Sequence, residues 1–304
     1  MGKTVLLRFL KRFLSFIGAT ALLAGIAEAQ GAGGAVTTIA AGNGQQPVSV
    51  GGTTLQIFTY KPANCSPRLL LMVFHGVERD AGPYRDHARS LANRLCAVVV
   101  SPEFDKARFP TDLYQHGGVS QGGAFVPPGT RPVDLVAPLV AWAQAAAGQP
   151  GMPFILIGHS AGAQFLSRVA AFTPTNASRI VIANPSTWVM PNTEANVPYG
   201  FGRVGTPKNA EDALRGYLGR PVTVLLGLDD TGSKNLASDP SAMAQGPYRL
   251  ARGRNAFAAA QAASRSHGWP LGWNLVEVAG VGHSSTKMFS APETIASLSG
   301  IAPR

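Results

Sequence analysis

Short, nearly unbroken apolar runs separated by stretches of helical periodicity restrict the fold of this chain more than any other feature. The runs lie at residues 55–60, 69–74, 97–100, 154–157, 180–183, 222–226 and 275–278. The later ones are apolar at nearly every position, the pattern of strands buried on both faces. Residues 84–95, 133–147, 163–171, 210–218 and 255–266 read as helices between them. Such an alternation buries its strands only as a mostly parallel sheet with helices on both faces, an α/β fold whose reactive residues sit on loops at the strands' C-terminal ends. A chain of 304 residues that is 45% hydrophobic has enough apolar material for one large domain of this kind. The expected organisation is a signal peptide at 1–29, a flexible leader rich in glycine and alanine at 30–47, and a single domain from 48 to 304. Residues 102–131 and 184–220 are too long for simple crossovers. They carry Phe104, Phe109, Tyr114, Phe125, Trp188, Tyr199 and Phe201, and leave strand ends where a pocket is expected.

The N-terminus has the layout of an export signal. Lys3, Arg8, Lys11 and Arg12 precede an apolar stretch at 13–27, and Ala27-Glu28-Ala29 offers a small-x-small cleavage site. The stretch is shorter than the ~20 residues of a spanning helix, so a secreted or periplasmic chain with no stable membrane insertion after cleavage is expected. The formal net charge is +10, but its basic residues recur singly, as at Arg79, Arg85, Arg89 and Arg94, without interleaved aromatics. That spread argues against a nucleic-acid partner. Cys65 and Cys96 are the only cysteines, and in an exported chain a pair of cysteines is expected to join, the alternative being buried free thiols. With no C-x-x-C or H-E-x-x-H pattern, no metal site is expected. Oligomeric state leaves no mark in the sequence.

The chemistry-bearing segment is Gly158-His159-Ser160-Ala161-Gly162, between the run at 154–157 and the helix at 163–171. A serine on a sharp strand-to-helix turn must tolerate strained backbone angles, and small residues two places either side let strand and helix approach. The backbone N–H groups at the helix start can stabilise a developing oxyanion. A serine hydroxyl is a poor nucleophile near neutral pH and needs a base, which in turn needs an orienting acid. The run at 222–226 leads into Gly227-Leu228-Asp229-Asp230, and the run at 275–278 into Gly280-Val281-Gly282-His283-Ser284. Asp230 or Asp229 is therefore the candidate acid, with Asp239 more distant, and His283 the candidate base. Among the other histidines, His159 is tied to the turn, His75 suits support of a loop, His116 and His267 lie in loops and His87 in a helix. Further candidates for substrate contact are His75, His159 and Trp188. Arg79 and Tyr84 suit either the pocket mouth or the surface.

With His75-Gly76-Val77 after an early strand, the turn around Ser160, the G-x-x-D of Gly227 to Asp230 and the Gly-His at 282 and 283, the chain resembles the α/β-hydrolase superfamily in its exported esterase or polyester (polyhydroxyalkanoate) depolymerase-like branch. The resemblance runs from residue 55 to the C-terminal region. It implies Ser160 as nucleophile, His283 as base, Asp230 rather than Asp229 as acid, and the backbone N–H groups of Val77 and Ala161 as oxyanion hole. The implied activity is cofactor-free cleavage of aliphatic or aryl esters, small or polymeric, through an acyl-enzyme. Acyltransferases and peptidases use the same triad, and a non-catalytic binding protein can keep the fold, so the resemblance leaves these as alternatives.

Overall fold

The apolar runs form the middle of one sheet. The computed structural model describes residues 38–301; the expected signal peptide and the leader up to residue 37 lie outside the described residues. The chain begins with β1 (Gly42–Val50), β2 (Thr53–Lys61), β3 (Leu70–Phe74), α1 (Ala81–His87), α2 (Arg89–Leu95) and β4 (Val98–Pro102). A small hairpin of β5 (Ser120–Gln121) and β6 (Ala124–Phe125) follows, then a short 3-10 turn (Pro132–Leu135), α3 (Val136–Ala146), β7 (Phe154–His159), α4 (Ala161–Phe172) and β8 (Arg179–Ala183). The remainder comprises α5 (Pro207–Leu218), β9 (Val222–Gly227), α6 (Pro240–Met243), α7 (Arg249–His267), β10 (Asn274–Val278), α8 (Ser285–Ser290) and α9 (Pro292–Leu298).

The main sheet has eight strands in the order β1-β2-β4-β3-β7-β8-β9-β10. β1 and β2 add antiparallel to one edge, and all other neighbours are parallel. Every residue of β3, β4, β7 and β9 is buried, because helices cover both faces. One face packs Met72, Phe74, Val100 and Leu156 against α3, α4, α5 and α7. The other packs Leu71, Val73, Val99 and Ile157 against α1, α2, α8 and α9. The described residues fall within one compact unit, and none of their helices is long and apolar enough to cross a membrane.

Some boundaries differ from expectation. Residues 42–47 are strand, not leader. β1 alternates more and less exposed positions with few apolar residues and pairs its whole length with β2, so backbone hydrogen bonds rather than an apolar run hold it. The helix expected over 84–95 is two helices meeting at Ala88. α2 then ends on Cys96, whose φ of 48° is the left-handed cap more often taken by glycine.

The Cys96 side chain is disulfide-bonded to Cys65, 31 residues earlier. The bridge ties the segment before β3 to the end of α2. Closing a loop of this length removes unfolded-state entropy worth about 3–4 kcal/mol. The Cys65→Ser/Cys96→Ser double variant is therefore expected to unfold at clearly lower denaturant with an activity per folded molecule like that of the parent. An unchanged midpoint in guanidinium titration would count against a stabilising bridge.

The long loops carry their own anchors. Phe104, Tyr114, Trp188 and Phe201 are all fully buried, and Tyr114 stacks at 5.2 Å on both Phe104 and Phe165 of α4. These aromatics hold the loops to the body, one of the two roles open to large rings in loops beside a site. Burying such large rings is itself a main source of stability for segments without regular structure.

Candidate active site

β7 runs into α4 through a single residue, Ser160, whose φ of 58° and ψ of −116° lie outside the regions an L-residue ordinarily occupies. The strain is held in place by close approach on both sides. A Cβ at Gly158 would come 2.6 Å from the carbonyl of Gly162, and one at Gly162 would meet the Phe74 carbonyl oxygen of β3. Strand, helix and the neighbouring strand are thus pressed together where only hydrogen fits, which is the physical content of the glycine spacing. The Ser160 N–H donates to Ala183 O of β8 at 3.0 Å, fixing the turn from the other side.

The loops after β9 and β10 are also locked to each other. Leu228 N–H donates to Val278 O and Asp229 N–H to Val281 O, both at 3.0 Å. A Cβ at Gly227 would meet the Val281 carbonyl oxygen. This pairing turns Asp230 inward, where it is 1% exposed, and leaves Asp229 exposed. His283 Nδ1 lies 2.7 Å from Asp230 Oδ2, and its Nε2 lies 2.9 Å from Ser160 Oγ. A carboxylate can only accept at neutral pH, so Nδ1–H donates to Asp230 and Nε2 accepts from the Ser160 hydroxyl. Asp229 takes no part in this chain. Behind Asp230, the guanidinium of Arg249 lies 3.7 Å from Oδ1.

Val77 and Ser160 line the same cleft, about 550 Å³ in volume. Ala161 opens α4, so its N–H has no intrahelical acceptor. Among the described residues, neither the Val77 N–H nor the Ala161 N–H donates to a protein acceptor. Donors of this kind beside a serine oxygen can stabilise negative charge on a bound carbonyl.

The remaining candidates divide. His159 is 2% exposed and lines the cleft floor with its ring 4.5 Å from that of His283. Tyr84 O–H lies 3.2 Å from His159 Nδ1. Burial, reinforced by the nearby His283, holds the His159 imidazole well below the usual histidine range and hence neutral.

His75 and Trp188, expected to contact substrate, do not line the cleft. His75 is fully buried: its Nδ1–H donates to Gly76 O and its Nε2 accepts from Phe104 N–H, each at 3.0 Å. Burial pushes it down to about 3, so it is neutral with both nitrogens engaged, and it braces the loop that carries Gly76 and Val77. Trp188 is fully buried in the core, 6.3 Å from Trp273, and exchanges hydrogen bonds with Gln245 through its backbone. Arg79 is buried too, donating to Phe109 O at 2.8 Å and Gln115 Oε1 at 3.0 Å, and so fastens the long loop after β4.

Asp229, the alternative acid, lies on the cleft wall. The rest of that wall carries no sequence signal: Glu78 and Asp80 come from the loop after β3, Lys234 from the loop after β9, and Ser285 and Thr286 from the start of α8. They belong to no motif, and only the fold brings them to one rim. Burial raises the Asp80 carboxyl above its ordinary range.

The chain is similar to the poly(3-hydroxybutyrate) depolymerase LpqC from Bordetella parapertussis, with 31% identity over 87% of this chain and 93% of that chain and a TM-score of 0.78. It is similar to poly(aspartic acid) hydrolase-1 from Sphingomonas sp. KT-1, with 30% identity over 82% of this chain and 96% of that chain and a TM-score of 0.76. An S-formylglutathione hydrolase from Staphylococcus aureus, 13% identical with a TM-score of 0.54 over 86% of this chain and 98% of that chain, shares the fold. No protein-family model and no curated protein matches the chain. Its parallel sheet, its strained serine turn and its identity to these hydrolases over most of its length agree, and the chain belongs to the α/β-hydrolase superfamily, in the esterase and depolymerase-like branch.

Proposed function

We propose that the protein is an exported serine hydrolase that cleaves carboxylic esters through an acyl-enzyme. The observation that carries this reading is the unbroken series Ser160 Oγ, His283, Asp230, at 2.9 and 2.7 Å. Ser160 Oγ attacks the ester carbonyl as its proton passes to His283 Nε2, and Asp230 orients the ring and stabilises the imidazolium. The Val77 and Ala161 N–H groups take up the oxyanion. Collapse of the tetrahedral intermediate expels the alcohol, which leaves with the proton from Nε2. Water, deprotonated by His283, then attacks the acyl-enzyme and regenerates the serine hydroxyl. Export is supported by the Cys65–Cys96 bridge, since such bridges persist in oxidising compartments.

The solved structures most informative about substrate differ in it, one being a polyester depolymerase and the other a poly(aspartic acid) hydrolase. The cleft charge favours the neutral polymer class. Glu78, Asp80 and Asp229 line it with carboxylates, while Lys234 brings one ammonium and Arg249 is spent on Asp230. A chain of aspartates entering this cleft meets like charge.

The test is a panel of a neutral p-nitrophenyl butyrate, an anionic p-nitrophenyl hemisuccinate, poly(3-hydroxybutyrate) and poly(aspartic acid). The neutral ester is expected to exceed the anionic one by about tenfold in kcat/KM, the effect of one weakly screened like-charge contact. The polyester is expected to be degraded in preference to the polyanion. Hydrolysis of poly(aspartic acid) without hydrolysis of either neutral ester would replace this reading with an amidase.

A further inference from the structure

Asp230 is the most deeply buried member of the series, and it faces a guanidinium as well as the imidazole. His283 takes Oδ2, and Arg249, itself 1% exposed, lies 3.7 Å from Oδ1. Arg249 is the first residue of α7 and does more than face a carboxylate. Its Nη2 donates to Lys234 O at 2.7 Å and its Nη1 to Gly232 O at 3.4 Å. The next N–H of α7, from Leu250, donates to Asp230 O at 3.3 Å. The whole segment after Asp230 is therefore fastened to the start of a 19-residue helix through one side chain and one backbone bond.

A carboxylate removed from water needs compensation, and Arg249 provides it on the side His283 does not reach. That compensation has a chemical consequence. The positive charge behind Asp230 opposes the positive charge that His283 acquires each time it takes the Ser160 proton. We propose that Arg249 is a positioning residue of the hydrolase, which pins the Asp230 loop and, by sharing the carboxylate with His283, weakens the imidazole as a base. This rests on the serine-hydrolase reading above and assigns a role to a residue that does not touch the substrate carbonyl.

Other ionisable groups near His283 would act on it as well. His159 lies against the ring, Glu78 and Asp80 face it from the loop after β3, Tyr84 and His87 from α1, and Asp229 and Lys234 from its partner loop. Of these, Lys234 alone is hydrogen-bonded to Arg249, through its carbonyl oxygen; the Arg249 charge also acts on His159, where burial and the nearby His283 are the larger causes that keep the imidazole neutral.

The experiment is the pH dependence of kcat/KM on p-nitrophenyl butyrate for the wild type, Arg249→Gln and Arg249→Lys, with thermal unfolding of each. The acidic limb reports protonation of His283 in the free enzyme. Removing the cation favours the imidazolium, so Arg249→Gln is expected to move that limb up by about one pH unit. Arg249→Lys keeps the charge but loses the fork, and is expected to lower kcat while leaving the limb within about 0.3 units of wild type. Equal limbs in all three proteins would overturn the proposal, as would equal shifts in Gln and Lys. If Arg249→Gln does not fold, Arg249→Met supplies the uncharged comparison. Failure of both uncharged variants beside a folded, unshifted Arg249→Lys would also overturn it, leaving a purely structural ion pair. The serine-hydrolase reading fails separately, through full activity of Ser160→Ala.

Discussion

Asp230→Asn is expected to lower kcat on a neutral ester by about 10⁴-fold, the loss seen when the acid of such a triad becomes an amide. Asp229→Asn, one residue away, is expected to change it by no more than about twofold. The contrast follows from one turn. The Asp229 N–H is drawn to Val281 O, which leaves the Asp229 side chain exposed and turns the next one inward to His283. An amide at 230 can present its NH₂ to Nδ1, which then has to accept, and the proton moves to Nε2 where the Ser160 hydroxyl needs a lone pair. The ring keeps its place and has the wrong tautomer. Steady-state kinetics of the two purified variants, with circular dichroism to confirm folding, measure this directly. A loss confined to Asp229→Asn would move the acid to that residue, and similar losses in both would contradict the contrast drawn from this turn.

The second large effect is on folding. Gly162→Ala adds one carbon where the Phe74 carbonyl oxygen already sits, with the His75 carbonyl oxygen 2.8 Å from the same point. Neither neighbour can give way easily, because both belong to the backbone at the end of β3. Overpacking costs about 1–3 kcal/mol and occasionally more, and rigid backbone on both sides puts this site at the upper end; relief by separating α4 from β3 would carry Ser160 away from His283. Soluble yield and activity are both expected to collapse. Gly216→Ala is the control: this glycine is an exposed position inside α5 with no atom within 4 Å of the added carbon. There alanine is expected to stabilise by about 0.5–1 kcal/mol, since glycine is the poorer helix former. A Gly162→Ala protein with normal stability and turnover would contradict the account of the turn.

How much of this was legible before the structure depended on what kind of burial each segment has. Strands with both faces covered must be apolar throughout, so β3, β7, β8 and β9 could be read from residue type alone. β1 could not, because an antiparallel edge strand is held by its pairing and shows Gln45 and Gln46 where a core strand would show apolar residues. The break at Ala88 has no proline or glycine to mark it. α8 and α9 are short and depend on Ser284, whose side chain accepts from Lys287 N–H, and on Pro292 at the first turn.

In the site, Ser160 and His283 could be singled out because each follows a recognisable strand. Between Asp229 and Asp230 the G-x-x-D spacing of the resemblance favours the second, while the backbone hydrogen bond that turns Asp230 inward is visible only in the fold. The sequence points to Trp188 as a substrate contact for a related reason. A large ring in a loop can line a pocket or anchor the loop, and composition is the same in both cases. Trp188 and Tyr114 anchor. The polar cleft wall of Glu78, Asp80 and Lys234 is assembled from separate loops and had no signature at all.

The central claim is that the Ser160 hydroxyl is activated by His283 for attack on a carbonyl. Incubation of the folded protein with a fluorophosphonate probe, followed by peptide mass spectrometry, tests this most directly. One covalent adduct on Ser160 is expected, absent from Ser160→Ala and strongly slowed in His283→Ala. A folded protein that takes up no probe, or that is labelled to the same extent after Ser160→Ala, would contradict the claim.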